Sequence, residues 1–319
     1  MLKNAGVKNE CSFLTPVLCY NSRDGNYYSE EERAVFLPTK IPMKTRRADR
    51  LVDMSHYLLD HPRQLISLNF FADRYEAAKS SISEDLSIIR RTYKARGTGE
   101  VKTYPGAAGG VYYTPLMAAG EAKDFVDGIC QIVNDESRVL PGGYVYLSDL
   151  LGQPNVLRQT GRLITTQYVG EEIDAVMTAA TKGIPLAQAV ADQLNVPFVI
   201  VRDDAKVTEG SMISVNYLTG SSKRVEKMAL SKRSLKAGAR VLIVDDFMKA
   251  GGTIQGMQTL VREFGGTVVG TAVFAEGRSN VRLLEDYTSL LHVETNLDSG
   301  QSINVQPGNY FEEIYQGKE

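Results

Sequence analysis

An apolar run, two acids and a glycine-rich turn follow one another at residues 241–253, where the sequence reads VLIVDDFMKAGGT. The aliphatic residues predict a buried parallel strand over 241–244, and open α/β sheets bind their ligands at the carboxyl ends of such strands. Asp245 and Asp246 would then stand at that binding edge. Carboxylates there accept hydrogen bonds from vicinal sugar hydroxyls, either directly or through the water shell of a magnesium ion.

The turn after the acids predicts an anion site. Ala250, Gly251 and Gly252 are small enough for backbone N–H groups to approach an anion closely, and Thr253 adds a hydroxyl at the start of a predicted helix over 254–264. A phosphate would fit there. The alternative is that the two acids cap a helix and the glycines only turn the chain.

A second loop of the same kind lies earlier in the chain. A strand is predicted over 173–178 and an amphipathic helix over 184–194, with Ala180, Thr181 and Lys182 between them. Lys182 is predicted to contact a diphosphate, and the alternative is an ordinary surface lysine. Arg202 follows the next predicted strand, 198–201, either as a second diphosphate cation or as one half of a structural salt bridge.

The segment 205–237 contains two alternating runs, 211–218 and 224–230, which predict a β-hairpin. The residues between them, 219–222, form the predicted turn. The lysines and arginines of this segment are better explained as a solvated face than as ligand contacts.

The whole pattern at 241–253 resembles the signature that type I phosphoribosyltransferases use for 5-phosphoribosyl 1-pyrophosphate (PRPP). The resemblance implies that the loop from Lys249 to Thr253 holds the ribose 5-phosphate and that Phe247 belongs to the same site. It also implies that the hairpin of 205–237 is a mobile flap over the site. Lys249 departs from the enzymes of this fold, which usually carry a small or hydroxyl residue at that position.

The amino-terminal third has a different character. Residues 43–115 carry 12 lysines and arginines against 8 acids, whereas residues 116–319 carry 19 against 25. This basic excess is too small to prove nucleic-acid binding, so the prediction depends on the order of the helices and strands. Helical faces are predicted over 51–58, over 68–75 and, after a capping box at 81–84, up to Gly97. A two-stranded wing over 100–104 and 111–114 follows, and this order predicts a winged helix.

In a winged helix, the third helix enters the major groove with its amino-terminal residues facing base edges. Base contacts are therefore predicted at Lys79, Ser80, Ser81 and Ser83. Phosphate contacts are predicted at the basic residues of the arm, the third helix and the wing, namely Lys44, Arg46, Arg47, Arg90, Arg91, Lys94, Arg96 and Lys102. The alternative is a helical packing domain with ordinary surface charge.

From residue 43 onward the sequence is similar to the PurR family of purine-operon regulators from Gram-positive bacteria. The similar segments are AKSSISEDL at 78–86, PGAAGG at 105–110, PGGYVYL at 141–147, ATKGIPL at 180–186 and the signature at 245–253. The resemblance implies a homodimer that binds double-stranded operator DNA near purine biosynthesis genes and senses PRPP. An activator could bind DNA with and without PRPP and use the ligand to engage RNA polymerase. It also implies that Tyr144 lies at the ligand pocket, although from pattern alone Tyr144 would be a core tyrosine.

The predicted fold is therefore α/β, with an N-terminal winged-helix DNA-binding domain over 43–115 and a type I phosphoribosyltransferase-like parallel-sheet domain over 116–319. Residues 1–42 remain unassigned. We expect a regulator that binds PRPP, with magnesium as a further candidate, without catalysis. The alternative is a purine phosphoribosyltransferase, but residues 287–306 offer no constellation for a purine base. The sequence leaves repression and activation equally open.

Composition predicts a cytoplasmic protein with no membrane partner. The chain has 319 residues, 43% of them apolar, and no apolar run that is long enough to span a bilayer. The three cysteines are odd in number and widely spaced, which favours reduced thiols over disulfides or a zinc site.

Overall fold

The computed structural model describes residues 45–106, 109–142, 144–203, 210–219, 224–279, 281–296 and 302–315. The unassigned extension 1–42, the predicted phosphate contact at Lys44 and the turn residues 220–222 lie outside the described residues. No helix in these ranges has the length and apolar content needed to cross a bilayer.

The amino-terminal part is a winged helix, as predicted. Its elements in chain order are α1 (Arg47–Asp60), β1 (Leu65–Ser67), α2 (Leu68–Tyr75), α3 (Lys79–Arg96), β2 (Gly99–Tyr104) and β3 (Gly110–Pro115). Strand β3 pairs antiparallel with both β1 and β2. The apolar faces of the helices meet in one core, where Met54, Leu58, Phe71 and Ile82 are fully buried.

The start of α3 differs from the prediction. The capping box at 81–84 is wrong, because α3 begins at Lys79 with Ala78 as its N-cap. The Ile82 amide already donates to the Ala78 carbonyl at 3.1 Å. Ile82 and Leu86 are buried in the core, so packing rather than a serine cap fixes the first turn. Strand β1 has no counterpart among the predicted elements, since three residues are too few to show alternation.

The second part is an α/β domain. Its elements are α4 (Ala119–Val133), β4 (Val139–Leu140), β5 (Tyr144–Val145), α5 (Pro154–Gln167), β6 (Ala175–Ala179), α6 (Ile184–Leu194), β7 (Phe198–Val201), β8 (Met212–Leu218), β9 (Val225–Ser231), β10 (Arg240–Met248), α7 (Gly252–Glu263), β11 (Thr267–Gly277), β12 (Thr288–Asn296), β13 (Ser302–Pro307) and α8 (Tyr310–Tyr315). Among the described residues, the main sheet has the order β13-β12-β11-β10-β6-β7. All neighbours in it are parallel except β13, which is antiparallel to β12.

Side chains that alternate along β10 enter two cores. Leu242 and Val244 pack with the helices α5 and α6, whereas Val241 and Ile243 pack with α7. This is the pattern of a central strand buried on both faces, and it explains why the sequence shows an unbroken apolar run there.

Strand β10 is longer than predicted. The apolar run predicts an end at residue 244, but the strand continues through both acids to Met248. Asp245 pairs with Val273 and Met248 with Glu276 of β11, which has 11 residues and extends the parallel ladder past the acids. The acids therefore belong to the strand, and the loop begins at Lys249.

Arginine side chains join the two parts of the chain. Arg162 of α5 donates hydrogen bonds to the carbonyl oxygens of Leu116, at 2.7 Å, and of Gly97, and its guanidinium pairs with both carboxylate oxygens of Glu121. Gly97 is the C-cap of α3, so this arginine holds the end of that helix. Arg63 of the winged helix donates to main-chain carbonyls just after α5.

Candidate ligand pocket and nucleic-acid interface

The end of β10 and the start of α7 border a pocket of about 220 Å³. Its lining consists of Tyr144, Thr219, Asp245, Phe247, Met248, Lys249, Ala250, Gly251, Gly252, Thr253 and Ile254. Gly251 has a φ of +91°, a left-handed conformation that a side chain would strain. The first turn of α7 belongs to the lining, so unpaired helix N–H groups are available to an anion in this pocket.

The two acids of β10 are desolvated. Asp245 is 6% exposed, and burial together with the neighbouring Asp246 raises the pKa of its carboxyl well above the usual range. Burial also raises the pKa of Asp246, while the positive charge of Lys182 opposes that rise. Because burial disfavours their charged forms, hydroxyl donors or a hydrated cation brought by a ligand would stabilise the ionised pair.

The second predicted loop meets the acids at the same edge of the sheet. Gly183 is the N-cap of α6, and a Cβ built on it would stand 2.6 Å from Asp245 Oδ1 and 2.3 Å from Thr178 Oγ1. Glycine is therefore required for this close approach. The residues just before it are Ala180, Thr181 and Lys182, all of them exposed. The peptide bond between the first two of these is cis.

Tyr144 lies at the pocket. The family resemblance implies this position, whereas the sequence pattern alone predicts a core tyrosine. Its side chain is 54% exposed, so it is not a core tyrosine. Lys249 Nζ lies 5.6 Å from the centroid of its ring, which is a cation–π distance. Tyr144 stands on β5, which pairs only with β4 in the described structure, so no periodic pattern could have brought it to this loop.

The predicted hairpin is confirmed as β8 and β9. It packs on α7, since a Cβ on Gly256 would stand 2.9 Å from Cγ of Tyr217, and Thr219 at the end of β8 reaches the pocket. Arg202, like residues 180–182, is not among the residues that line the 220 Å³ pocket. Its backbone pairs with that of Ala229, so this residue joins β7 to the hairpin.

A group of residues behind the loop has no counterpart in the sequence prediction. The buried Glu276 of β11 accepts hydrogen bonds from Arg282 Nη2 at 2.7 Å, from Ser289 Oγ at 2.9 Å and from the Tyr287 hydroxyl. Arg282 also donates to the carbonyl of Lys249 at 2.8 Å, so the network fixes the backbone of the loop. The residues come from separate elements, and their types and spacing carry no recognisable motif.

The two carboxylates at the end of β10 could hold a magnesium ion only together with a phosphate ligand. Within the described ranges, no group of three or more His, Cys, Asp or Glu side chains could hold a metal ion. Magnesium in phosphate sites is commonly bound by one or two carboxylates, with phosphate oxygens and water completing its shell. Asp245 and Asp246 fit that smaller role.

The outward face of α3 presents most of the predicted nucleic-acid contacts. The exposed residues among them are Lys79, Ser80, Ser83, Arg90, Arg91, Lys94 and Arg96, whereas Ser81 is half-buried. Arg46 and Arg47 are exposed at the start of α1. This helix face is polar, basic at both ends and free of large apolar side chains, which suits a nucleic-acid groove.

Some predicted phosphate contacts already have partners in the protein. Arg90 Nε donates to a β2 carbonyl at 3.1 Å and its Nη2 contacts Thr103, so it joins the wing to α3. Arg47 Nε donates to the buried Asp85 at 2.8 Å. Lys102 pairs with the neighbouring acid Glu100 at 2.9 Å. These side chains have structural contacts besides any contact with phosphate.

Comparisons with known proteins agree with this arrangement. The family model described as "Bacterial purine repressor, N-terminal" matches residues 46–115, and the model "Phosphoribosyl transferase domain" matches residues 147–311. The purine biosynthesis transcriptional repressor PurR of Bacillus subtilis (strain 168) is 55% identical over 269 residues, which are 84% of this chain and 94% of that protein.

A second relative, the purine biosynthesis transcriptional activator PurR of Lactococcus lactis subsp. lactis (strain IL1403), is 52% identical over 83% of this chain and 98% of its own length. Among solved structures, adenine phosphoribosyltransferase from Rhodothermus marinus DSM 4252 shares 25% identity, covers 48% of this chain and 87% of that chain, and has a TM-score of 0.43.

Proposed function

Because this chain belongs to the PurR family of purine biosynthesis transcriptional regulators, we propose that it binds operator DNA through its winged helix and PRPP through its second domain. One observation carries the ligand part of the proposal. Two loops suited to anions, the buried Asp245 and the half-buried Asp246 meet at one edge of the sheet, through the close approach of Gly183 to Asp245. The relatives include a repressor and an activator, so the proposal covers control of purine genes in either sense.

In the proposed complex, the ribose 5-phosphate binds at residues 249–253 against the first turn of α7. The diphosphate binds at residues 180–182, where Lys182 supplies positive charge. Asp245 and Asp246 accept hydrogen bonds from the ribose hydroxyls, which offsets the desolvation that raises their pKa values. Arg202, just after β7, remains a candidate for a second diphosphate cation.

Magnesium would enter the site with the diphosphate and would supply positive charge and ordered water there. Asp246 is the carboxylate suited to accept hydrogen bonds from that water shell, because it is less buried than Asp245. Tyr144 and Phe247 complete the wall of the pocket, and Lys249, the first residue of the loop, places its ammonium over the ring of Tyr144.

The DNA part of the proposal places α3 in the major groove and the basic residues around it on phosphates. Ligand control follows if PRPP binds better to one arrangement of the domains than to another, or if the anionic ligand competes with DNA for the same cations. A homodimer would present two winged helices to the two halves of an operator. Contact with RNA polymerase belongs to the proposal only for activation.

We propose regulation without transfer chemistry. The regulators that match this chain do so over more than four-fifths of its length, and both domains are included in the match. The alternative function, purine phosphoribosyl transfer, predicts release of diphosphate from PRPP when a purine base is present. We expect no such release above background.

Fluorescence anisotropy of a duplex from a purine biosynthesis control region tests the proposal. The full chain is titrated with and without PRPP and magnesium, beside the double variant Asp245→Asn/Asp246→Asn and the surface control Glu263→Gln. We expect PRPP to change the DNA affinity of the wild type and of the control but not of the double variant, and calorimetry should show PRPP binding reduced at least tenfold in that variant.

Different failures point to different parts of the proposal. Equal PRPP binding by the double variant and the wild type would overturn the assigned pocket. Tight DNA binding that PRPP does not alter would place the ligand's action after DNA binding, as activation requires. Absence of specific DNA binding would overturn the regulator and favour the enzyme.

A further inference from the structure

Glu84 is the exposed acid of helix α3. The helix contains two acids, and the other one, Asp85, is fully buried and paired with Arg47 at 2.8 Å and with Arg50 at 2.9 Å. The side chain of Glu84 is 71% exposed and makes a longer contact, 3.4 Å, with Arg47. Asp85 therefore has a structural role, whereas Glu84 has its carboxylate on the surface.

Short side chains lie beside Glu84 on its own helix. Ser80 lies four residues before it and Ser87 three residues after it, so both are its neighbours on the same helix face. The Ser87 hydroxyl donates to the Ser83 carbonyl at 2.9 Å and is thus directed back to its own helix. Serines let a helix come close to a groove floor, and among these residues Glu84 extends furthest from the helix axis.

A carboxylate at this place needs a partner when DNA is bound. Phosphates repel it, which would weaken binding to every sequence alike. The major groove offers compensation, because cytosine presents its N4 amino group there and Glu or Asp side chains accept hydrogen bonds from it. Glu84 is within the first half of α3, the part of a recognition helix that contacts base edges.

We propose that Glu84 accepts a hydrogen bond from the N4 amino group of a cytosine in the major groove and thereby selects a C·G pair at one operator position. This inference rests on the proposed function, since it requires α3 to lie in the groove. One good base contact gives about tenfold discrimination against a wrong pair, and we expect that value for T·A at this position.

Selection from a random-sequence duplex library tests the assignment even though the operator sequence is unknown. The full-length wild type, Glu84→Ala and Glu263→Ala are each taken through the selection. The last variant removes one negative charge from an exposed position at the end of α7, outside the winged helix, and so controls for the change in net charge. Because Glu84 is exposed, Glu84→Ala should unfold at the wild-type temperature, which circular dichroism verifies.

Anisotropy then gives the Kd of each protein for the selected duplex and for the same duplex with the C·G pair replaced by T·A. We expect wild type and Glu263→Ala to prefer the first duplex about tenfold, and Glu84→Ala to select the same motif with that one position degenerate. The inference is overturned if Glu84→Ala keeps the full motif, or if it binds all duplexes more tightly by one common factor, which would mean that Glu84 only repels phosphate. If the wild type enriches no motif, the proposed function itself fails.

Discussion

Replacing Arg162 by methionine should loosen the winged helix from the α/β domain of residues 116–319, which carries the proposed PRPP site and is called the ligand domain below. Arg162 lies on α5 of the ligand domain, and its guanidinium donates to the carbonyl of Gly97 at the end of α3 and to that of Leu116 in the connection between the domains. It also pairs with Glu121 at the start of α4, at 2.7 and 3.0 Å. Methionine keeps the length of the aliphatic stem but removes every one of these donors.

The size of the effect follows from the burial of the pair. The side chains of Arg162 and Glu121 are 15% and 38% exposed, so their interaction lies between that of a surface pair, about 0–1 kcal/mol, and that of a buried pair losing one partner, about 3–5 kcal/mol. The two carbonyls would each lose a hydrogen bond of about 1 kcal/mol. We expect a total loss of about 3 kcal/mol in the free energy of unfolding or of domain docking.

Calorimetry and hydrogen exchange measure this loss. For a domain of about 200 residues, such as 116–319, about 1 kcal/mol lowers Tm by about 2–4 °C, so in Arg162→Met that domain should unfold about 6–12 °C earlier or the winged helix should show a separate early transition. Amides of α3 near Gly97 should exchange faster. Arg158→Met is the matched control, because Arg158 is an exposed arginine one turn away on the same helix. If both variants unfold at the same temperature with the same exchange pattern, the bridge does not hold the domains together and the reasoning is refuted.

Three further substitutions test the ligand domain. Gly183→Ala should lower PRPP affinity at least tenfold, because its Cβ would stand 2.6 Å from Asp245 Oδ1 and displace the diphosphate loop; unchanged affinity in calorimetry would contradict this. Asp245→Asn should stabilise the ligand-free protein, and it should do so more at pH 7.5 than at pH 4.5. Because the pKa of the carboxyl is raised in the folded state, its contribution to stability is lost as the pH rises from the unfolded-state pKa through the folded-state pKa. An equal gain in Tm at both pH values would refute the burial argument. Gly256→Ala should push the hairpin off α7, because the new Cβ would meet Cγ of Tyr217 at 2.9 Å, at a loss of about 1–3 kcal/mol; amides of 212–218 should then exchange faster than in the wild type.

The elements around the ligand site could be predicted because each has a local signal. The predicted helix 184–194 and strand 198–201 coincide with α6 and β7. The end of β10 could not be predicted in the same way, because it depends on how far β11 continues beside it. Two acids at the end of an apolar run look like the first residues of a loop until the neighbouring strand is known.

The residues that support the loop could be identified only from the tertiary structure. Glu276 is the one acid of β11, and its partners Arg282 and Ser289 reach it only after the chain has turned back beside that strand. The contacts of Arg90 could not be predicted for a related reason. In the sequence Arg90 is one more cation on a basic helix, and only the position of the wing brings it into contact with β2. Local sequence predicts the positions of ligand loops, but not what holds them in place.

Packed helices connect the ligand site to the DNA-binding surface. Gly183 begins α6, and α6 crosses α5 so closely that a Cβ on Gly161 would stand 2.6 Å from the carbonyl oxygen of Ala189. The next residue of α5, Arg162, holds the end of α3 through Gly97. A ligand that moves the loop 180–183 therefore acts on the recognition helix through two helices that have no room to slide independently. For that reason, the DNA affinities of Arg162→Met with and without PRPP should become nearly equal, even if the variant still binds PRPP and DNA separately. A ratio of these two affinities unchanged from the wild type would mean that the coupling follows another route.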